Sequence, residues 1–284
     1  LRAAKAHGCV VIVAGSDATD NLAKYFDSGA DYILIGEGEI TLAELLDSLF
    51  HTEIRKPVLS EAKDPKSEIR GLALRNQDGT ITRTPPREYL RELDALPFPA
   101  WDLLNLLEYS RRYKFTKMIA AAPYAVVFTS RACPYRCVYC HHNFGKKFHA
   151  RSPEAVISEV DHLVKDFGVR EIEFWDDIFN LDRARCARIL DLIASRGYDL
   201  KLAFPNGLRG DLMNAELVEK FAAAGTYYVA YAIESGSERV QKLIKKHINL
   251  PRLTEVIDLT VAHGIFTHGF FILGFPTESA DEMR

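Results

Sequence analysis

The sequence predicts an α/β protein in two parts, a stretch of doubly wound (Rossmann-like) sheet followed by a parallel barrel or part of one. Three observations carry this. Short apolar runs closed by glycine alternate with amphipathic helix patterns from the start of the chain, as expected of a parallel sheet covered on both faces. From residue 126 onward a strand–helix alternation recurs at a regular interval. Between the two parts lie Pro85, Pro86, Pro97 and Pro99, a proline density that neither a helix nor a central strand can continue.

In order, residues 1–60 read as part of the doubly wound domain. A helix over 1–7 feeds an apolar strand over 9–14, and Gly15, Ser16 and Asp17 form a turn with helix-capping residues. A helix runs to about residue 28, where Gly29 stops it. The next strand, 31–35, ends in Gly36-Glu37-Gly38-Glu39, and Leu42, Leu45, Leu46 and Leu49 mark a helix at i, i+3, i+4 and i+7. Ligands of such sheets sit at the carboxyl ends of strands, here Ala14-Gly15-Ser16 and Gly36-Glu37-Gly38. Residues 61–122 read as a hairpin turning at Asp78-Gly79 and a proline-stiffened linker packed through Trp101. Residues 123–284 carry strands at 126–130, 171–175, 201–204, 227–233 and 268–273. Helices start near Ser152-Pro153, Asp182, Asn214 and Leu250-Pro251. Both ends fall inside predicted helices, so a longer chain is expected.

Composition narrows the function classes. A net charge of −3 supplies no basic field for nucleic acid. No apolar run approaches the ~18 residues of a transmembrane helix, and no signal-peptide pattern opens the chain. Cys9 and Cys186 sit in strand and helix patterns and read as core thiols, which places the protein in a reducing, cytoplasmic setting.

The remaining cysteines are Cys133, Cys137 and Cys140, spaced C-x3-C-x2-C on a loop that leaves the first strand of the second part, with Tyr139 before the last. At five cysteines in 284 residues, chance would place such a triple about 0.002 times per chain. Thiolates in this pattern suit an iron–sulfur cluster, which normally takes four, so one iron would stay open. Zinc is the alternative, but it favours paired C-x2-C units or spaced histidines; His141 and His142 could supply a nitrogen.

This loop resembles the cluster loop of the radical S-adenosylmethionine (SAM) superfamily. The resemblance extends over nearly the whole chain to the cobalamin-binding branch of that superfamily. It is carried by Asp176-Asp177-Ile178-Phe179, Asn206-Gly207-Leu208-Arg209, Ile233-Glu234-Ser235-Gly236-Ser237, the run His268-Gly269 to Phe275-Pro276, and upstream by Ala14-Gly15-Ser16, the segment from Ile35 to Leu42 and the linker from Leu96 to Leu104. Two departures stand upstream: Ala14 replaces the first glycine of the family's pair, and Asp17 replaces a histidine often found after it. The resemblance implies the C-terminal part of a cobalamin-binding domain followed by a partial (β/α)6 radical SAM barrel, truncated after its fifth strand.

It also implies roles. Cys133, Cys137 and Cys140 would hold a 4Fe–4S cluster, and Tyr139 would flank the SAM adenine. Asp176 and Asp177 would hold the SAM amino group, and Glu234 and Ser235 the ribose hydroxyls. Gly274 would approach the adenine, and Arg209 or Lys246 would meet the methionine carboxylate. Gly15, Ser16, Gly36 and Gly38 would line the nucleotide tail of cobalamin. The implied activity is reductive cleavage of SAM to a 5′-deoxyadenosyl radical, which acts on an unactivated carbon of a small-molecule substrate. Methyl transfer from cobalamin, ring closure or rearrangement would follow, with electrons from a donor such as flavodoxin or ferredoxin. Alternatives are a radical SAM enzyme whose upstream domain is only a scaffold, and a non-catalytic zinc or iron–sulfur module. A methylthiotransferase would carry three more cluster cysteines upstream, where this chain has only Cys9.

Overall fold

A computed structural model of the chain describes residues 1–50, 65–112, 118, 120–141 and 144–284. They form two compact units, Leu1–Arg91 with His141–Gly145, and Glu92–Cys140 with Lys146–Arg284.

In the first unit the elements are α1 (Arg2–Ala6), β1 (Ile12–Ala14), α2 (Ser16–Asp20), α3 (Leu22–Asp27), β2 (Tyr32–Leu34), α4 (Glu39–Phe50), β3 (Leu72–Arg75) and β4 (Ile81–Arg83). β1 and β2 are parallel, and β3 and β4 continue the same sheet antiparallel. Because side chains alternate across a strand, Ile33 and Ala73 pack on Leu22 and Phe26, while Leu34 and Leu72 pack on Leu45. Both faces are thereby covered.

The hairpin expected in the linker is therefore part of this sheet. β3 hydrogen-bonds the edge of β2 that would otherwise be left open, and the unit runs through Arg91 rather than ending near residue 60. The expected single helix over 16–28 breaks at Asn21, whose amide turns back onto Asp17. Cys9 is exposed rather than a core thiol, because pairing in β1 begins only at Ile12.

The second unit opens with a turn at Trp101, whose indole donates to Glu159 at 3.1 Å as the ring packs into the core. Its elements are α5 (Leu106–Arg112), β5 (Tyr124–Val127), β6 (Ser130–Arg131), β7 (His149–Ala150), α6 (Pro153–Phe167), β8 (Glu171–Phe174), α7 (Arg183–Ser195), β9 (Lys201–Leu208), α8 (Ala215–Ala223), β10 (Thr226–Glu234), α9 (Glu238–Leu243), α10 (Leu250–Ala262) and β11 (Phe266–Phe271). The sheet runs β5-β8-β9-β10-β11, all parallel and in chain order. That is the winding of a barrel segment, with every strand's carboxyl end on one rim.

The helices start where side chains cap them. Ser152, Asp182, Asn214, Ser237 and Asn249 each accept the backbone N–H three residues on, a bond of ~1 kcal/mol each. Helix-facing strand residues build the core, where Phe204 meets Phe174, Phe179 and Phe221 with ring centroids 5.2, 4.9 and 4.8 Å away. β9 runs beyond the expected 201–204 because β10 shifts register and pairs Tyr231 with Leu208, past the missing N–H of Pro205. Among the described residues no helix is long and apolar enough to cross a membrane.

Candidate functional site

The chain leaves β5 and enters the cysteine loop across an anchored root. Asp176, at the end of β8, is 2% exposed. Its Oδ1 accepts from the Thr129 amide (3.1 Å), the Thr129 hydroxyl (2.8 Å) and the Ser130 hydroxyl (2.5 Å). Its Oδ2 is buried with no hydrogen-bond partner among the described residues. Burial pushes this carboxyl above the ordinary carboxylate range, against the pull of the Ser130 and Thr129 hydroxyls. Arg185, in the first turn of α7, donates to the carbonyls of Thr129 (2.7 Å) and Arg151 (2.8 Å), and its Nη1 is likewise buried without a partner among the described residues. The neighbouring Asp177 accepts the Ala132 amide at 3.1 Å, holding a non-glycine residue at φ +66° immediately before Cys133. Both aspartates thus lie against the loop's root. β6 and β7 pair just beyond it and close the loop's base.

Cys133 and Cys137 are partly exposed and Cys140 is exposed. The three thiols lie within one another's electrostatic reach. Burial pushes the Cys133 and Cys140 thiols up, the neighbouring thiols add to it, and the Lys146 ammonium opposes it. Lys146 also donates to the Tyr135 carbonyl. Among the described residues no three His, Cys, Asp or Glu side chains are gathered as one metal ion would require. His141 pairs with Asp20 at 2.9 Å, and His142 lies outside the described residues. Among the described residues the donor set is therefore three thiols on one loop. It fits a polynuclear cluster, in which each thiolate takes a different iron, better than a single zinc.

On the same rim, β10 ends at Glu234, a buried non-glycine residue at φ +69°. Strain of this kind collects at functional sites. Lys246 Nζ stands 3.0 Å from Glu234 Oε1 and 3.0 Å from the Tyr139 hydroxyl. Burial, then the charge of Glu234, raises the Tyr139 phenol far above its ordinary value. The Tyr139 ring lies 5.9 Å from Phe275. Ser235 is buried, and its hydroxyl accepts the Ser237 amide at 3.2 Å. Gly274 adopts φ +87° with open space where a side chain would stand, and Glu278 Oε2 gathers the amides of Gly274 (2.6 Å) and Phe275 (3.0 Å).

Arg209 is 8% exposed and fully engaged. It grips Asp211 with two bonds (3.0 and 2.8 Å), donates to the carbonyls of Lys246 and His247, and covers the Tyr135 ring at 4.0 Å. Asn206 reaches the Asp176 carbonyl at 2.9 Å. The second unit thus places Tyr139, Asp176, Asp177, Arg209, Glu234, Ser235 and Gly274 around the cysteine loop, at the carboxyl ends of one parallel sheet.

Four expected residues belong to the first unit. Gly15 (φ +115°) and Gly36 (φ +78°) would meet nothing within 4 Å if given a Cβ, so their backbone is open to close approach. A Cβ on Gly38 would press Leu34 Cδ1 at 3.2 Å, so there a side chain would require the leucine to give way. Ser16 is the first residue of α2, with Gly15 as its cap. Sequence reasoning missed Thr129, Ser130, Arg185 and Glu278 as organisers of the site. Of these only Glu278, four residues after a glycine, left a local signal.

The family model of the radical SAM superfamily matches residues 127–284. An uncharacterised methyltransferase of Pyrococcus horikoshii is 32% identical over 256 residues, covering 89% of this chain and 51% of the relative. Cytidylyl-2-hydroxyethylphosphonate methyltransferase of Streptomyces wedmorensis is 30% identical over 303 residues, covering 92% and 53%. The chain therefore spans about half the length of the curated relatives it matches. Among solved structures, the cobalamin-dependent S-adenosylmethionine radical enzyme OxsB with aqua-cobalamin bound superposes with a TM-score of 0.74 at 20% identity, over 99% of this chain and 39% of that one; the likeness is one of fold. The thiol triple, the parallel sheet beneath it and the matched 127–284 segment agree: the chain belongs to the radical SAM superfamily.

Proposed function

We propose that this chain is the core of a radical SAM enzyme that acts on an unactivated carbon of a small-molecule substrate, with methyl transfer as its outcome. Members of this superfamily use a 4Fe–4S cluster and SAM. The observation that carries the reading is the joint placement of three thiols on one loop and the Tyr139–Lys246–Glu234 contact on one rim.

Cys133, Cys137 and Cys140 would hold the cluster, leaving one iron without a protein thiolate. A cluster so held supplies, when bound, a low-potential electron for reductive cleavage of SAM. The protein's part is placement. Glu234 presents a buried carboxylate to ribose hydroxyls, Ser235 shapes the turn behind it, and Gly274 leaves open backbone for the adenine beside Tyr139 and Phe275. Asp176 and Asp177 fix the loop root, and Asp177, which is exposed, would meet the amino group as well. Arg209 and Lys246 bring positive charge to the rim for the carboxylate. The electron donor would be a small redox protein such as flavodoxin or ferredoxin.

The first unit would receive the nucleotide tail of cobalamin at Gly15, Ser16 and Gly36, with Gly38 setting the turn. Support comes from the open backbone at Gly15 and Gly36 and from the cobalamin held by the OxsB fold relative. A second reading keeps the same SAM chemistry with a first unit that binds no corrin. To separate the two, the protein is purified after anaerobic growth with hydroxocobalamin, and cobalt is counted beside iron. Cobalt near one per chain supports cobalamin dependence. A full cluster and 5′-deoxyadenosine formation without cobalt would leave the second reading.

A further inference from the structure

The turn that follows α9 has a conformation its sequence does not favour. Lys245 (φ +55°) and His247 (φ +50°) are both left-handed without being glycine, at a cost of order 1 kcal/mol or more each. Such strain persists only where surroundings over-determine it, and here they do. Gln241, 3% exposed, accepts the amides of Lys246 (3.1 Å) and His247 (3.4 Å) on its carbonyl and that of Ile248 (3.4 Å) on its side chain. Its own side-chain amide holds the carbonyls of Ile233 (2.8 Å) and Ser235 (2.6 Å). Arg209 braces the outside, donating to Lys246 O at 3.1 Å and His247 O at 3.3 Å.

What this held turn touches is the cysteine loop. The Ile244 carbonyl accepts the Val138 amide at 3.0 Å. Lys246 Nζ reaches the Tyr139 hydroxyl at 3.0 Å. The same Arg209 that braces the turn lies 4.0 Å over the Tyr135 ring. Three residues standing between the cysteines are therefore each fixed by the turn or its brace, through a backbone bond, a side-chain bond and a cation–π contact.

We infer that the 244–247 turn is a preformed seat for the cysteine loop, and that Lys246 and Arg209 are positioning residues for the cluster ligands, acting through Tyr139 and Tyr135. This rests on the radical SAM reading and adds a consequence. Because Lys246 also holds Glu234, the seat ties the loop's shape to the carboxylate assigned to the ribose, so the two should respond together.

The test uses the purified protein in its iron-free, reduced form, with exchange of the Val138 amide as the readout. Lys246→Met and Tyr139→Phe should each speed that exchange about tenfold, the loss expected of one charge-assisted hydrogen bond. Because the bond between Lys246 and Tyr139 is lost in both, the double variant should be no faster than Lys246→Met alone. Lys246→Arg should restore part of the protection, which a general loss of stability would not allow, and circular dichroism checks that the variants fold. After reconstitution, iron should leave to a chelator in the same order of variants. Unchanged exchange in both single variants, or fully additive effects in the double, overturns the proposal. A wild-type protein that protects Val138 yet takes up no iron would defeat the cluster reading and leave the seat standing.

Discussion

Asp176 is the residue on which the loop root depends, and replacing it by alanine has a consequence that can be worked out. Three donors converge on its Oδ1, two hydroxyls and the Thr129 amide. The hydroxyls can turn elsewhere; the amide cannot, and an orphaned buried N–H costs about 1–3 kcal/mol. Arg185 adds to this, since Asp176 is the charge that most favours its buried guanidinium. A loss of about 1–3 kcal/mol is expected from the amide alone, and Arg185 moves it in the same direction. Both tryptophans, Trp101 and Trp175, lie in the second unit, so equilibrium urea unfolding followed by tryptophan fluorescence reports on that unit. Asp176→Asn adds a check on sign. The folded carboxyl is raised by burial, so the unfolded chain ionises first and stability falls as pH climbs from the ordinary carboxylate range through the folded value. Asparagine cannot ionise, so that part of the slope should vanish. A loss below about 1 kcal/mol in Asp176→Ala, or an unaltered pH slope in Asp176→Asn, would refute the anchoring role.

Other substitutions probe the remaining assignments. Alanine at Cys133, Cys137 or Cys140 should abolish the iron–sulfur absorbance near 400 nm, while Cys9→Ala and Cys186→Ala should retain it; equal iron in all five variants would remove the assignment. Glu234→Gln should weaken SAM binding about tenfold to a hundredfold, the loss of a charge-assisted bond of ~1.5–3 kcal/mol, and titration calorimetry that finds no change would take Glu234 out of the site. Gly36→Val should strip cobalt from the protein while iron is retained. Both Gly36→Val, strained at φ +78°, and Gly38→Val, whose first added atom meets Leu34, should lower the melting temperature of the first unit; cobalt retained in folded Gly36→Val would take Gly36 out of the corrin site.

What the sequence made legible was local. The cysteine spacing, the capping residues at Ser152, Asp182 and Asn214, and the apolar strand runs are all read within a few residues, and the structure realises them in one sheet with one rim. The hairpin was visible as a hairpin, but its place in the first sheet depends on pairing between Ile33 and Ala73, about which periodicity says nothing. Asp176 was found by residue type and position; that it turns beneath the loop is a matter of side-chain direction. Lys246 stood out only as a cation, because its phenol partner is 107 residues away in sequence. Arg185 gave no signal, since an arginine in the first turn of a helix ordinarily reads as solvated.

The central claim, that three thiolates of one loop hold a cluster whose open iron receives SAM, is tested most directly by electron paramagnetic resonance of the anaerobically reconstituted, dithionite-reduced protein with and without SAM. The account predicts about four irons per chain, as for a cubane cluster, a reduced-cluster signal that SAM shifts, and 5′-deoxyadenosine in the same sample. Zinc in place of iron at Cys133, Cys137 and Cys140, or a cluster signal that SAM leaves unmoved, would contradict it.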